Sequence, residues 1–121
     1  MITESMTEKA RELGRLIGQS EEYKALERAR ERFSNDRAAV ERINKLQELE
    51  TEIGRVMQQN EEPSAEMRDA YEAAFGELQG NASYQGMVAA QSNFDRILTR
   101  VNEEISKGVE SGSQSRIILP S

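Results

Sequence analysis

At 121 residues the chain has room for one domain, or for one helical unit of an oligomer. It holds no cysteine and no histidine. That excludes disulfides, thiolate-held zinc or iron–sulfur clusters, and every histidine-dependent base, dyad or triad, so the expectation is a non-enzyme without a cofactor. The net charge is −6 and 31% of residues are charged, whereas Leu, Ile, Val and Phe together number only 24. So few large apolar residues make a thin core for a small domain, and part of the apolar surface is expected to be buried against another chain, in a dimer or larger homo-oligomer. No apolar run approaches the roughly 18 residues of a membrane span, and Glu4, Glu8, Lys9, Arg11 and Glu12 do not suit an N-terminal targeting signal. A cytoplasmic location without membrane insertion is expected.

Every sizeable segment shows helical rather than strand spacing, which predicts an all-α bundle of about five helices. The first helix spans residues 4–18, with Met6, Ala10, Leu13 and Ile17 on one stripe. Gly18 suits its end and Ser20 suits the cap of the next helix, where Glu21 and Glu22 complement the helix dipole. The second helix, residues 21–33, places Tyr23, Leu26, Ala29 or Arg30, and Phe33 inward. Ser34-Asn35-Asp36 breaks it, and Asp36 is the expected cap of a third helix reaching about residue 60. The seam of that helix is Val40, Ile43, Leu46, Leu49 or Glu50, Ile53 and Met57. Gly54 within it costs up to about 1 kcal/mol relative to alanine and marks either a close helix crossing or tolerated strain.

Asn60-Glu61-Glu62-Pro63-Ser64 reads as a loop, with Pro63 at or just before a helix start. The fourth helix, residues 65–79, packs Met67, Ala70, Tyr71, Ala74 and Leu78; Gly80-Asn81 ends it and caps the fifth. That fifth helix, residues 82–110, carries the strongest period of the chain. Tyr84, Met87, Gln91, Phe94, Leu98, Val101 and Ile105 repeat at three and four, as a bundle or coiled-coil seam does. Its apolar members are the expected self-association surface. The domain is expected to span residues 1–110, and the Ser/Gly-rich stretch after it to be a flexible tail, residues 111–121, whose Ile117-Ile118-Leu119-Pro120 end is either disordered or a docking peptide.

Charge is distributed unevenly. Residues 24–45 sum to +3 and residues 46–79 to −7. Such a dipolar chain can dock head to tail or steer a charged partner, although solvated helix faces also account for it. No phosphate-binding loop occurs, and carboxylate pairs such as Glu48/Glu52 lack the histidines of di-metal bundle sites. Arg28, Arg32, Arg37 and Arg42 form the candidate partner-binding face; their density is low for a phosphate-binding surface, and the overall charge opposes nucleic acid.

Several of these segments together resemble a known family. Ile17-Gly18-Gln19-Ser20-Glu21-Glu22-Tyr23 is similar to the I-x-x-S-x-E-[YF] segment of YlbF/YmcA-like proteins. The Asp36 break, the long helix with Leu46-Gln47, the Pro63 loop, and Asn81-Ala82-Ser83-Tyr84 (Asn-Pro in many members) follow in the same order, and the resemblance covers residues 6–110. It implies long helices that dimerise or assemble further, and a cytoplasmic accessory factor. Members in Gram-positive bacteria belong to a complex with a membrane-anchored endoribonuclease that influences RNA maturation, competence, sporulation and biofilm formation. Some members hold iron–sulfur clusters on cysteines; this chain has none, so that role does not carry over. The resulting expectation is a regulatory adaptor with a protein partner, a ribonuclease complex being the candidate that the resemblance implies. Direct RNA binding through the basic 24–45 stretch and a chaperone-like helical oligomer are the alternatives.

Overall fold

A computed structural model describes the backbone of residues 1–118 and the side chains of residues 1–114. It contains α1 (Glu4–Gly18), α2 (Glu21–Asn35), α3 (Arg37–Gln58), α4 (Ala65–Gln79) and α5 (Ala82–Ile118), with no strand among the described residues. The expected all-α architecture is therefore what forms. Each helix starts on a side-chain oxygen that accepts the amide three residues on. Thr3 takes Met6 at 3.1 Å, Ser20 takes Tyr23 at 3.1 Å, Asp36 takes Ala39 at 3.2 Å, Ser64 takes Met67 at 3.2 Å and Asn81 takes Tyr84 at 2.9 Å. These bonds satisfy amides that the first turn of a helix leaves without a partner. At the other end of α3, Asn60 adopts a left-handed φ of 61°. Its amide reaches the Met57 carbonyl and the Glu61 amide reaches Val56, a Schellman stop in which asparagine stands in for glycine.

The helices form two antiparallel pairs, α2 with α5 and α3 with α4, of which only the second is a hairpin. In the first, Tyr23 and Phe33 of α2 stack against Phe94 and Tyr84 of α5 with ring centroids 5.3 and 6.3 Å apart. Arg30 contributes a bond from Nη2 to Gln91 Oε1 at 3.1 Å in the same pair. In the second, the Tyr71 hydroxyl of α4 donates to Glu50 of α3 at 3.3 Å, and Arg42 Nη1 donates to the Glu77 carbonyl at 3.5 Å. Leu46, Ala74 and Leu78 form the buried cluster between α3 and α4, with Phe33, Ile43, Leu49, Tyr71 and Tyr84 packed around it. Met57 and Ala70, expected inside, are exposed, and Val56 takes the seam position next to Met57. Nothing lies within 4 Å of where a Gly54 side chain would begin, so tolerated strain rather than a close crossing accounts for that glycine within this chain.

α5 corrects one expectation. It continues to Ile118, about two turns past the predicted end at Glu110, so residues 111–118 are helix rather than flexible tail. Extending an existing helix adds a hydrogen bond per residue without a new nucleation cost, and no proline intervenes before Pro120. The docking role weighed for residues 117–120 falls outside the described residues, since the side chains of Ile117 and Ile118 and the whole of 119–121 lie beyond them.

The fold is thin. Its buried apolar residues are Leu26, Ala39, Leu46, Ala74, Leu78 and Ala90, half of them alanine. The chain exposes 9612 Å², whereas a compact monomer of its 13.7 kDa mass exposes about 6,600 Å². Helices that extend beyond their partners contribute to the excess. Tyr23 meets Phe94 at the first turn of α2, so α5 from Leu98 onward runs past the end of that helix. α1 joins the molecule at the same end and packs only lightly, against α2.

Candidate interaction surfaces

The two helix pairs meet where α2 passes into α3 and α4 into α5, and the caps at these two breaks bind each other. Asn81 Nδ2 donates to Asp36 Oδ2 at 3.3 Å, while Asn81 Oδ1 holds the Tyr84 amide and Asp36 Oδ1 the Ala39 amide. Asn81 and Ser83 are buried here and Asp36 is half-buried. The Ser83 hydroxyl and the Ala39 amide, with Asn81 adding to them, hold the Asp36 carboxyl below its usual value of 3.8, and partial burial opposes this only in part. With the folded value depressed, the unfolded chain binds the proton more readily. The contribution of Asp36 is fully present above about pH 4 and is lost as pH falls through its lower folded value. The melting temperature of wild type should therefore exceed that of Asp36→Asn at about pH 6, and the gap should narrow towards about pH 3. A gap that stays constant would show that the carboxylate charge does not hold the joint.

This joint sorts the charged residues. Arg28 and Arg32 lie one turn apart on the exposed side of α2, away from α5, and Arg37 is exposed in the first turn of α3. No ion pair among the described residues uses any of the three. Arg42 is placed differently. It is half-buried and donates to a carbonyl in the last turn of α4, where positive charge complements the dipole, so it works within the fold rather than on a free face. Glu48, Glu52, Glu66, Asp69 and Glu72 are exposed on α3 and α4, which places the negative charge on the α3–α4 hairpin. Among the described residues no three acidic side chains converge as metal ligands do. The surface depressions, such as the one lined by Arg30, Tyr84, Met87, Val88 and Asp95, are open grooves.

The predicted self-association seam divides in the same way. Tyr84, Met87 and Phe94 are half-buried, with Tyr84 and Phe94 stacked on aromatic rings of their own chain. Val101 is half-buried, and Leu98 and Ile105 are exposed beyond the reach of α2, followed by Val109. Periodicity alone did not separate the half spent on α2 from the half left free. It also missed Ala39 and Ala90, because alanine is as common on a solvated helix as at a close crossing.

The family model described as "Control of competence regulator ComK, YlbF/YmcA" matches residues 6–110. The chain belongs to the YlbF/YmcA family. It is also 22% identical over 108 residues to a UPF0342 protein of Leuconostoc citreum (strain KM20), covering 89% of this chain and 92% of that protein. A UPF0342 protein of Leuconostoc mesenteroides is 20% identical over the same length, with the same coverage. The YlbF/YmcA description is a regulatory one, and it extends to this chain as a regulatory class. Two positions that carry the family likeness, Ser20 and Asn81, are helix caps in the structure. No helix among the described residues is long and apolar enough to cross a membrane.

Proposed function

We propose that the chain is a cytoplasmic, non-enzymatic adaptor that self-associates and binds a protein partner in RNA processing or developmental regulation. The observation that carries this reading is the surface of about 3,000 Å² in excess of a compact monomer, which includes the apolar side chains of α1 and distal α5. A chain with so little interior gains stability chiefly by covering that surface with other proteins. The arginines offer a second, polar contact. Arg28 and Arg32 are exposed, share one side of α2 and have no ion-pair partner among the described residues, which suits an acidic protein surface.

The test is capture of tagged protein from its host with and without nuclease, wild type beside Arg28→Glu/Arg32→Glu. Reversing both charges should cut recovery of the partner by about tenfold or more, with self-association unchanged. A partner retained in full by the variant would remove the arginine face from the proposal. Recovery lost on nuclease treatment would favour direct RNA binding, and capture of many unfolded clients would favour a chaperone-like oligomer.

A further inference from the structure

The α2–α3 break and the α4–α5 break lie at one level of the molecule, and little crosses that level. Asp36, with φ −92° and ψ 99°, is the single residue between α2 and α3, and only Gly80 and Asn81 separate α4 from α5. Among the described residues no backbone hydrogen bond runs directly from α2 to α3 or from α4 to α5. Tertiary packing is concentrated inside each pair, α2 with α5 and α3 with α4. Both prolines lie elsewhere, at 63 and 120, so neither break contains a ring that fixes φ. We infer that the two breaks form a hinge about which the α2–α5 pair and the α3–α4 hairpin turn as rigid arms, and that the Asp36–Asn81 bond is its latch.

The two caps divide their atoms in a way that makes the bond a latch. Asp36 gives Oδ1 to the Ala39 amide and Asn81 gives Oδ1 to the Tyr84 amide, so each cap is complete without the other. The atoms left over, Asp36 Oδ2 and Asn81 Nδ2, meet at 3.3 Å. The latch can therefore open without uncapping either helix, and water replaces the lost bond at the half-buried Asp36. Beside it the Ser83 hydroxyl also holds the Asp36 carboxylate, and the exposed Gln85 side chain donates to the Gln79 carbonyl at 2.7 Å. Apolar contact across the level is local. Phe33 and Tyr84 pack on the Leu46, Ala74 and Leu78 cluster, which serves as the pivot. A sharp bend elsewhere along either arm would break bonds between successive helical turns; a bend at this level breaks none. Arg28 and Arg32 lie on one arm and the exposed carboxylates of α3 and α4 on the other. The hinge thus sets the angle between two charged faces, and a partner that touches both selects one angle. The hinge itself does not depend on the adaptor reading.

Distances between paired spin labels test the hinge, on a chain with no cysteine of its own. Glu27→Cys/Glu66→Cys puts one label on each arm, up to about 36 Å apart along the helices at 1.5 Å per residue. Glu27→Cys/Ala89→Cys and Glu52→Cys/Glu66→Cys keep both labels on one arm, and all four positions are exposed. An excess of unlabelled chain removes distances between copies. Asn81→Asp keeps an oxygen for the Tyr84 amide but sets a second carboxylate against Asp36, so it opens the latch and leaves the caps. Asp36→Asn/Asn81→Asp exchanges donor and acceptor and restores the bond. In double electron–electron resonance, Asn81→Asp should widen the cross-arm distribution about twofold and the exchange should return it to wild-type width. Both within-arm distributions should stay as they are in wild type. A cross-arm distribution that Asn81→Asp leaves unchanged would overturn the hinge. Within-arm distributions that widen with it would show that residue 81 holds the helices rather than the angle between them. An exchange that fails to restore the wild-type width would remove the latch, and either result overturns the inference.

Discussion

Leu78→Ala should lower the stability of the chain by about 2–5 kcal/mol, the largest loss expected from any single side chain here. Leu78 and Leu26 are the only large side chains that are fully buried among the described residues. Leu78 also occupies the more consequential place. It lies in the last turn of α4, packs with Leu46 and Ala74 inside the α3–α4 hairpin, and has Phe33 and Tyr84 of the α2–α5 pair around the same cluster. Truncation leaves a cavity where both helix pairs meet, which the surrounding side chains fill only in part. Against a total of about 5–15 kcal/mol for an ordinary domain, such a loss leaves a chain with this core close to unfolding. Urea denaturation followed by circular dichroism measures it. Leu16→Ala, at a 64% exposed site, serves as the comparison in dilute solution, where a change within about 0.5 kcal/mol is expected. A Leu78→Ala midpoint as close to wild type as that would show that the cluster does not hold the two helix pairs together.

Much of this fold was legible because its boundaries are written in local chemistry. Ser20, Asp36 and Asn81 are short polar side chains standing immediately before helical periods, and each caps the helix that follows. The bounds of α1 and α4 follow from the same signals. Two features were not legible, for different reasons. The Asp36–Asn81 bond joins residues 45 positions apart, and a cap read from spacing shows only the amide it binds, not the second cap it touches. The end of α5 was misplaced because Ser111-Gly112-Ser113 has a linker's composition, whereas a long helix already under way tolerates it. In the arginine group the same blindness to tertiary context combined Arg42, which binds the end of α4, with Arg28 and Arg32, which face solvent.

Thermal stability should rise with protein concentration. If α1 and distal α5 are covered only by another copy, unfolding releases two chains, and mass action stabilises the assembly as concentration increases. A hundredfold increase adds about 2.7 kcal/mol per dimer. For a cooperative unit of about 240 residues this corresponds to a rise of about 5–10 °C in the melting temperature. The effect is large because the interior of the single chain is small: half of its buried apolar residues are alanines, and the strongest apolar period, that of α5, is only partly used within the chain. Circular dichroism melts at about 1 µM and about 100 µM measure the shift. Ile105→Glu should abolish it, because a charge at the centre of the distal stripe cannot be buried without a partner. It should leave the dilute melting temperature nearly unchanged, since Ile105 is exposed in the single chain. A melting temperature independent of concentration would mean that two helix pairs joined through Leu78 and the Asp36–Asn81 caps suffice alone, and that the apolar ends of α1 and α5 are reserved for a different protein.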